Sequence, residues 1–148
     1  MTAYRYFENK DDVFAALRTA QFNHLADALD NVQRSLSPSS YLRALAEAYA
    51  DYAQQEPEGY RLLYMVPMAS SADFPEMEAA QLRTQRCLFD ATQRAVESGE
   101  MRGDPIVLAH TLWASIHGLV SLDLAGQLNR GKGFTSLFSA MLDQLLEK

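Results

Sequence analysis

The apolar residues of this 148-residue chain recur three and four positions apart, and glycine or proline separates one run from the next. That spacing places side chains on one face of an α-helix, whereas a half-buried strand needs an alternation with period two. No stretch of the chain alternates convincingly in that way. The pattern therefore predicts an all-α bundle of about six helices.

Capping residues predict where these helices begin. Asn9 precedes a lysine and two acidic residues, which predicts the start of a long first helix that ends near Ser35. Ser37–Pro38 and Asp104–Pro105 each combine a capping side chain with a proline in the first turn, so the second and fifth helices are expected to begin there. The third, fourth and sixth helices are expected at about 58–66, 75–98 and 134–146, with a loop at 67–74. The expected buried stripe of the first helix consists of Val13, Leu17, Leu25, Ala28, Leu29 and Val32.

The fifth predicted helix is apolar on two opposite faces. At about 100° per residue, Trp113 and His117 fall on one face and Leu112 on the other. A helix that is apolar all round must be covered all round, either at the centre of a monomeric bundle or by a second subunit, and the strongly apolar sixth helix favours a homodimer. The expected interface residues are Leu108, Leu112, Leu119, Leu122, Phe138, Leu142 and Leu145. A seam of small residues lies beside the tryptophan face: Ala114, Gly118, Ser121 and Ala125.

Composition and charge exclude several classes of protein. A single cysteine, Cys87, rules out a disulfide framework and fits a reducing cytoplasm, and three scattered histidines do not complete a structural zinc site. The formal charge of −6 gives no general attraction to phosphates. No basic segment followed by an apolar core marks a secretory signal. The most apolar stretch, 105–128, carries two histidines and an aspartate, so no membrane span is expected.

No catalytic signature is present in the sequence. It contains no Gly-x-Ser-x-Gly elbow, no phosphate-binding glycine loop, no His-Glu-x-x-His and no paired Glu-x-x-His motifs. Cys87 has no neighbouring histidine in sequence and takes an expected core position, where a thiol is usually inert. His110 and His117, two helical turns apart, are too distant to share one metal ion and are expected to be neutral. The chain is therefore expected to lack enzymatic activity, a cofactor and a metal ion.

Two motifs resemble those of a known family. Near the start, Tyr4 and Phe7 form the Tyr-x-x-Phe pattern that ends the recognition helix of TetR-family transcriptional regulators, and Lys10 follows with acidic neighbours, as in that family. Far downstream, Trp113-Ala-Ser-Ile-His117-Gly118 resembles the Trp-x-x-x-His-Gly signature of one class of the family's C-terminal regulatory domains. The resemblance implies a TetR-like C-terminal regulatory bundle.

The resemblance also implies how the chain is divided. Residues 1–8 are expected to be a remnant of the DNA-recognition helix, with most of the helix-turn-helix missing, and residues 9–148 the effector-binding and dimerisation domain. The positions whose family counterparts touch DNA phosphates are Thr2, Tyr4, Tyr6 and Lys10. Tyr4 and Phe7 could instead only pack against the first helix. Operator DNA is expected as a partner of the full-length regulator alone.

In this family a small-molecule pocket lies among the second to fifth helices of this chain, so the resemblance implies a repressor that senses a small apolar or aromatic effector. The expected pocket residues, any of which could be plain core, are Tyr49, Tyr52, Tyr60, Tyr64, Met65, Met68, Phe89, Trp113 and His117. Two alternatives stay open: a dimerisation module without an effector, and an unrelated helical binding protein.

Overall fold

Six α-helices make up the part of the chain that the computed structural model describes, residues 9–67 and 70–146. No strand occurs in those two segments, so the prediction of an all-α bundle is confirmed. The helices are α1 (Lys10–Asp30), α2 (Pro38–Gln55), α3 (Pro57–Tyr64), α4 (Pro75–Glu97), α5 (Pro105–Leu124) and α6 (Phe134–Leu146). The first helix ends before its predicted limit near Ser35, and a short 3₁₀ helix, Ser71–Asp73, lies in the predicted loop.

Side-chain caps fix the helix starts that the sequence predicts. Asn9 forms a capping box, in which its Oδ1 accepts the amide N–H of Asp12 at 3.0 Å and the Asp12 carboxylate accepts the N–H of Asn9 at 3.2 Å. At α5, Asp104 Oδ1 accepts the N–H groups of Ile106 and Val107 at 2.8 and 3.1 Å. A cap contributes about 0.5–2 kcal/mol and involves only neighbouring residues, so the sequence is enough to locate it.

The bundle has one continuous core with α4 at its centre. α4 packs against α1, α2 and α5, and α6 packs against α5 and α2. Each of the six helices contributes one of the largest fully buried side chains: Leu25, Leu42, Tyr60, Met77, Ile116 and Leu142. Burying such side chains is the main stabilising contribution to a domain of this size.

The buried face of α1 differs from the predicted stripe in its first half. Val13 and Leu17 are 37% and 51% exposed, so their assignment to the core is wrong. Arg18 is buried instead: its Nε donates to the Leu62 carbonyl at 2.8 Å, and its guanidinium also binds the Val66 carbonyl. The last carbonyls of a helix have no partner within that helix, so Arg18 satisfies that of Leu62 in α3 as well as the Val66 carbonyl just beyond it. Apolar spacing along α1 cannot reveal this partner.

α3 approaches α1 and α2 closely at Gly59. A Cβ at this position would lie 2.8 Å from Gln21 Cδ and 3.1 Å from the Tyr52 hydroxyl oxygen. Gln21 Oε1 accepts a hydrogen bond from that hydroxyl at 2.7 Å, so the glutamine cannot move aside without breaking it. The missing side chain of Gly59 therefore lets three helices meet.

Most of the residues expected at a subunit interface lie in the chain's own core. Leu112, Phe138 and Leu142 are buried, Leu108, Leu119 and Leu145 are half-buried against the core, and Leu122 is 46% exposed. The interface assignment of the three buried residues is therefore wrong. Helical spacing identifies two apolar faces on α5, but it does not say which of them folds inwards.

The side of α5 left uncovered is the one with small residues. We call Val107, Thr111, Ala114, Gly118 and Leu122, all exposed, the outer face of α5. Within the described residues, α5 is the one helix long and apolar enough to cross a bilayer by length and composition, with a mean hydropathy of 1.4 and only 22% of that window buried. A core helix of a soluble protein can meet the same criterion. The outer face thus leaves apolar surface available to a partner.

Candidate functional site

A partly enclosed apolar cavity of about 100 Å³ lies among α1, α2, α3, α4 and α5. Four of the predicted pocket residues line it: Tyr49, Tyr64, Phe89 and Trp113. Sequence reasoning missed further lining residues, among them Phe22, Leu45, Gln81, Thr84, Gln85 and His110. His110 lines the cavity and is itself exposed. Its form, apolar with a few polar groups, is typical of small-molecule sites.

The other predicted pocket residues lie outside the lining. Tyr52, Tyr60 and His117 are buried or half-buried nearby, Tyr52 with its hydroxyl on Gln21. Met65 is 40% exposed at the end of α3. Met68 lies outside the described residues.

A chain of hydrogen bonds runs from the cavity wall into the bundle. The Trp113 indole N–H donates to the Tyr49 hydroxyl at 3.2 Å, and that hydroxyl donates to the Tyr60 hydroxyl at 3.5 Å. Tyr60 lies 2.5 Å from His117 Nδ1, and Ser121 Oγ lies 3.4 Å from His117 Nε2. An indole N–H can only donate, so each hydroxyl accepts from one neighbour and donates to the next. In a neutral imidazole, an Nδ1 that accepts from the Tyr60 hydroxyl leaves the ring proton on Nε2, beside Ser121 Oγ.

Tyr64 lies at the centre of an aromatic cluster beside this chain. Its ring centroid is 5.0 Å from that of Tyr60, 5.4 Å from His117, 6.2 Å from Trp113 and 6.1 Å from Phe22. Edge-to-face and tilted contacts at these distances stabilise aromatic pairs beyond the area they bury. Burial also raises the pKa of the Tyr64 phenol, and of Tyr49 and Tyr60, far above its usual range. These hydroxyls are therefore neutral hydrogen-bonding groups at physiological pH.

Polar groups on the α4 side of the cavity are the remaining candidates for recognition. The Thr84 hydroxyl donates to the Phe22 carbonyl at 3.2 Å, and the half-buried residues Gln81 and Gln85 also line the cavity. The exposed His110 ring contacts Phe89 edge-to-face at 5.0 Å. A small aromatic molecule could hold van der Waals contacts with the rings and one hydrogen bond to an amide.

Acidification is expected to destabilise the fold through His117. Burial lowers the pKa of this imidazole from 6.5, so the folded chain binds its proton less readily than the unfolded chain. The stabilisation by neutral His117 is complete above about pH 6.5 and is lost as the pH falls below that value. In urea titrations from about pH 7.5 to 5, the unfolding free energy of His117→Gln should fall less than that of the parent chain. An unchanged profile for His117→Gln contradicts this expectation.

Of the four positions predicted to contact DNA phosphates, Lys10 alone lies within the described residues, and it does not line the cavity. Lys10 is exposed, with its ammonium 5.4 Å from the Phe14 ring centroid. Thr2, Tyr4 and Tyr6 lie outside the described residues. Among residues 9–67 and 70–146, no three His, Cys, Asp or Glu side chains are grouped so that they could hold a metal ion.

The sequence family described as "Tetracyclin repressor-like, C-terminal domain" matches residues 42–145. That range covers most of α2, all of α3 to α5 and all of α6 except its last residue, and it includes the cavity residues other than those of α1. No curated protein sequence matches the chain significantly. The match confirms the predicted family, whereas the role of the Trp113 and His117 signature stays a prediction.

Solved structures share the fold. A protein with unknown function from a Rhodococcus species is 22% identical and aligns over 96% of this chain and 74% of its own, with a TM-score of 0.81. The TetR family transcriptional regulator PfmR from Thermus thermophilus is 17% identical and aligns over 97% of this chain and 78% of its own, with a TM-score of 0.73. At these sequence identities, both comparisons show a shared fold and nothing more.

Proposed function

The chain belongs to the tetracyclin repressor-like C-terminal domain family, and we propose that it senses a small, largely apolar molecule for a transcriptional repressor of the cytoplasm. The observation that carries the proposal is the aromatic cavity among α1 to α5. Members of this family are transcriptional regulators, and such proteins typically have no enzymatic activity. The cavity is therefore interpreted as a binding site and not as a catalytic centre.

The effector would act on DNA through α1. Phe22 and Leu29 of α1 line the cavity, α1 packs extensively against α4, and Arg18 ties it to the end of α3. In TetR-family regulators, the counterpart of α1 follows the DNA-binding module. A ligand that binds one arrangement of α1 against α4 more tightly than another shifts the population of that arrangement, and with it the position of the module.

We also propose that a second copy of the chain covers the outer face of α5. Domains of this family typically dimerise, and the outer face combines the exposed apolar side chains Val107 and Leu122 with small residues between them. Small side chains allow two helices to approach closely, at about 8–10 Å between axes. The uncovered surface of α5 supports this interface and replaces the leucine face that the sequence favours.

Filling the cavity is expected to abolish effector binding. In the parent chain, one-ring and two-ring aromatic compounds should change the emission of Trp113, the single tryptophan, and raise the melting temperature. The stabilisation should reach about 2.7 kcal/mol at a hundredfold excess over Kd. Ala46→Leu places a larger side chain in the cavity wall and should remove both effects, as measured by fluorescence titration and thermal denaturation.

The matched control is Ala79→Leu, the same substitution at an exposed position of α4. It should bind as the parent chain does. Equal affinities for Ala46→Leu and Ala79→Leu would place any binding outside the cavity and contradict the proposed function.

A further inference from the structure

A polar groove of about 340 Å³ lies beside the apolar cavity, between α1, α2 and α4. Cys87 lines both spaces, and the consecutive α1 residues Leu29 and Asp30 face one space each. The half-buried side chain of Cys87 thus adjoins both spaces. The charged side chains of the groove are Asp30, Arg34, Arg83, Arg86, Asp90 and Arg94.

Two of the four arginines in the groove have carboxylate partners. Arg83 binds Asp27 at 2.7 Å and Asp30 at 2.5 Å, and Arg34 lies 3.6 Å from Asp30. These pairs neutralise much of the charge on the α1 side of the groove. Such partly exposed pairs contribute little stability, but they hold the side chains in place.

The other two arginines carry charge that no described carboxylate pairs with. The Arg94 guanidinium lies 5.6 Å from the centroid of the Tyr41 ring, a contact that orients the side chain without neutralising it. Arg86, two turns earlier on the same face of α4, forms no ion pair with another described residue. With Asp90 between them, the three side chains leave a formal charge of about +1 in a chain of net charge −6. That local excess suits a monoanion better than a dianion.

We propose that the effector is an amphipathic carboxylate whose apolar ring lies in the cavity and whose carboxylate binds Arg86 and Arg94 beside Cys87. The inference rests on the proposed function and adds the charge of the effector to it. Planar guanidinium groups bind carboxylates through charge-assisted hydrogen bonds, often two at a time. Burial raises the pKa of the Cys87 thiol, so it stays neutral and does not repel the anion.

The test compares three ligands with one ring and different head groups: 3-phenylpropanoate, 3-phenylpropanamide and propylbenzene. In isothermal titration calorimetry, the parent chain should bind the acid at least about tenfold more tightly than the amide, since hydrogen bonds to charged groups are the stronger ones. Arg86→Gln and Arg94→Gln should each weaken binding of the acid by about tenfold and leave the amide unchanged. Arg102→Gln, an exposed substitution outside the groove, should change neither.

The outcomes separate the two proposals. Equal affinity for acid and amide would overturn the carboxylate inference and leave the apolar site intact. Acid binding that the arginine substitutions leave unchanged would also overturn the inference. If acid binding survives Ala46→Leu but not the arginine substitutions, the anion occupies the groove alone and the spanning ligand is wrong. If none of the three ligands binds the parent chain or perturbs Trp113, the proposed function fails for this class of ring, and the inference fails with it.

Discussion

Replacing Gly118 by arginine is expected to leave the chain folded and to make it a monomer at micromolar concentration. Gly118 lies in the middle of the outer face of α5, and an added Cβ would meet no atom within 4 Å. The single chain therefore has room for a long side chain, and arginine is about 1 kcal/mol better than glycine in a helix interior. In the proposed dimer, the same side chain would separate two closely packed helices and bury a charge without a partner. Light scattering should report about half the mass of the parent assembly.

Two variants make this result specific to the interface. Gly118→Ala keeps a small side chain and should remain dimeric, and Ala79→Arg places the charge on an exposed position of α4 and should also remain dimeric. Circular dichroism should show equal helix content in all three. A dimeric Gly118→Arg variant would show that the interface lies elsewhere.

The second large effect is expected from Arg18→Met. Methionine keeps much of the length and the apolar contacts of the side chain but leaves the carbonyls of Leu62 and Val66 without their donor. Leaving these two carbonyls without their charged donor should lower the free energy of unfolding by about 2–4 kcal/mol. For a domain of this length that loss corresponds to a decrease of roughly 6–12 °C in Tm, to be measured by thermal denaturation at fixed protein concentration.

Two further substitutions test the reason for that loss. Arg18→Lys keeps the charge but not the planar group with two donors, so its Tm should fall between those of the parent and Arg18→Met. Arg102→Met changes an exposed arginine and should shift the Tm by little. If Arg18→Met melts at the same temperature as Arg102→Met, the link between α1 and α3 has no energetic importance.

Local signals explain why the helix starts could be predicted from the sequence. Asn9 and Asp104 accept hydrogen bonds from backbone N–H groups two or three residues ahead, so each start depends on a few consecutive residues. The burial of Arg18 and the exposure of Leu17 depend instead on carbonyls more than forty residues away. Helical spacing contains no information about such distant partners. It also does not show which apolar face of α5 packs inwards, and for that reason the sequence placed the buried Leu112 at an interface.

The sequence predicted the aromatic character of the candidate site and four of its residues, but not its other lining residues. Aromatic residues in the second to fifth helices indicated Tyr49, Tyr64, Phe89 and Trp113, and the structure brings these four side chains to one cavity. The sequence did not indicate Phe22 because the family resemblance implies a pocket among the second to fifth helices, whereas Phe22 lies on α1. The groove beside Cys87 was missed because arginines on a helix usually indicate a solvated surface. Only the packing of α4 against α1 and α2 places those charges next to an apolar cavity.

The close approach at Gly59 has a consequence for how this sequence can vary over evolutionary time. A side chain at position 59 collides with Gln21, and shortening Gln21 alone removes the closer of the two acceptors of the Tyr52 hydroxyl, leaving the backbone carbonyl of Gln21 at 3.4 Å. Each single change is unfavourable, whereas alanine at 59 together with a shorter residue at 21 removes the collision. The two positions, on helices far apart in the chain, are therefore coupled and should drift as a pair among descendants of this protein.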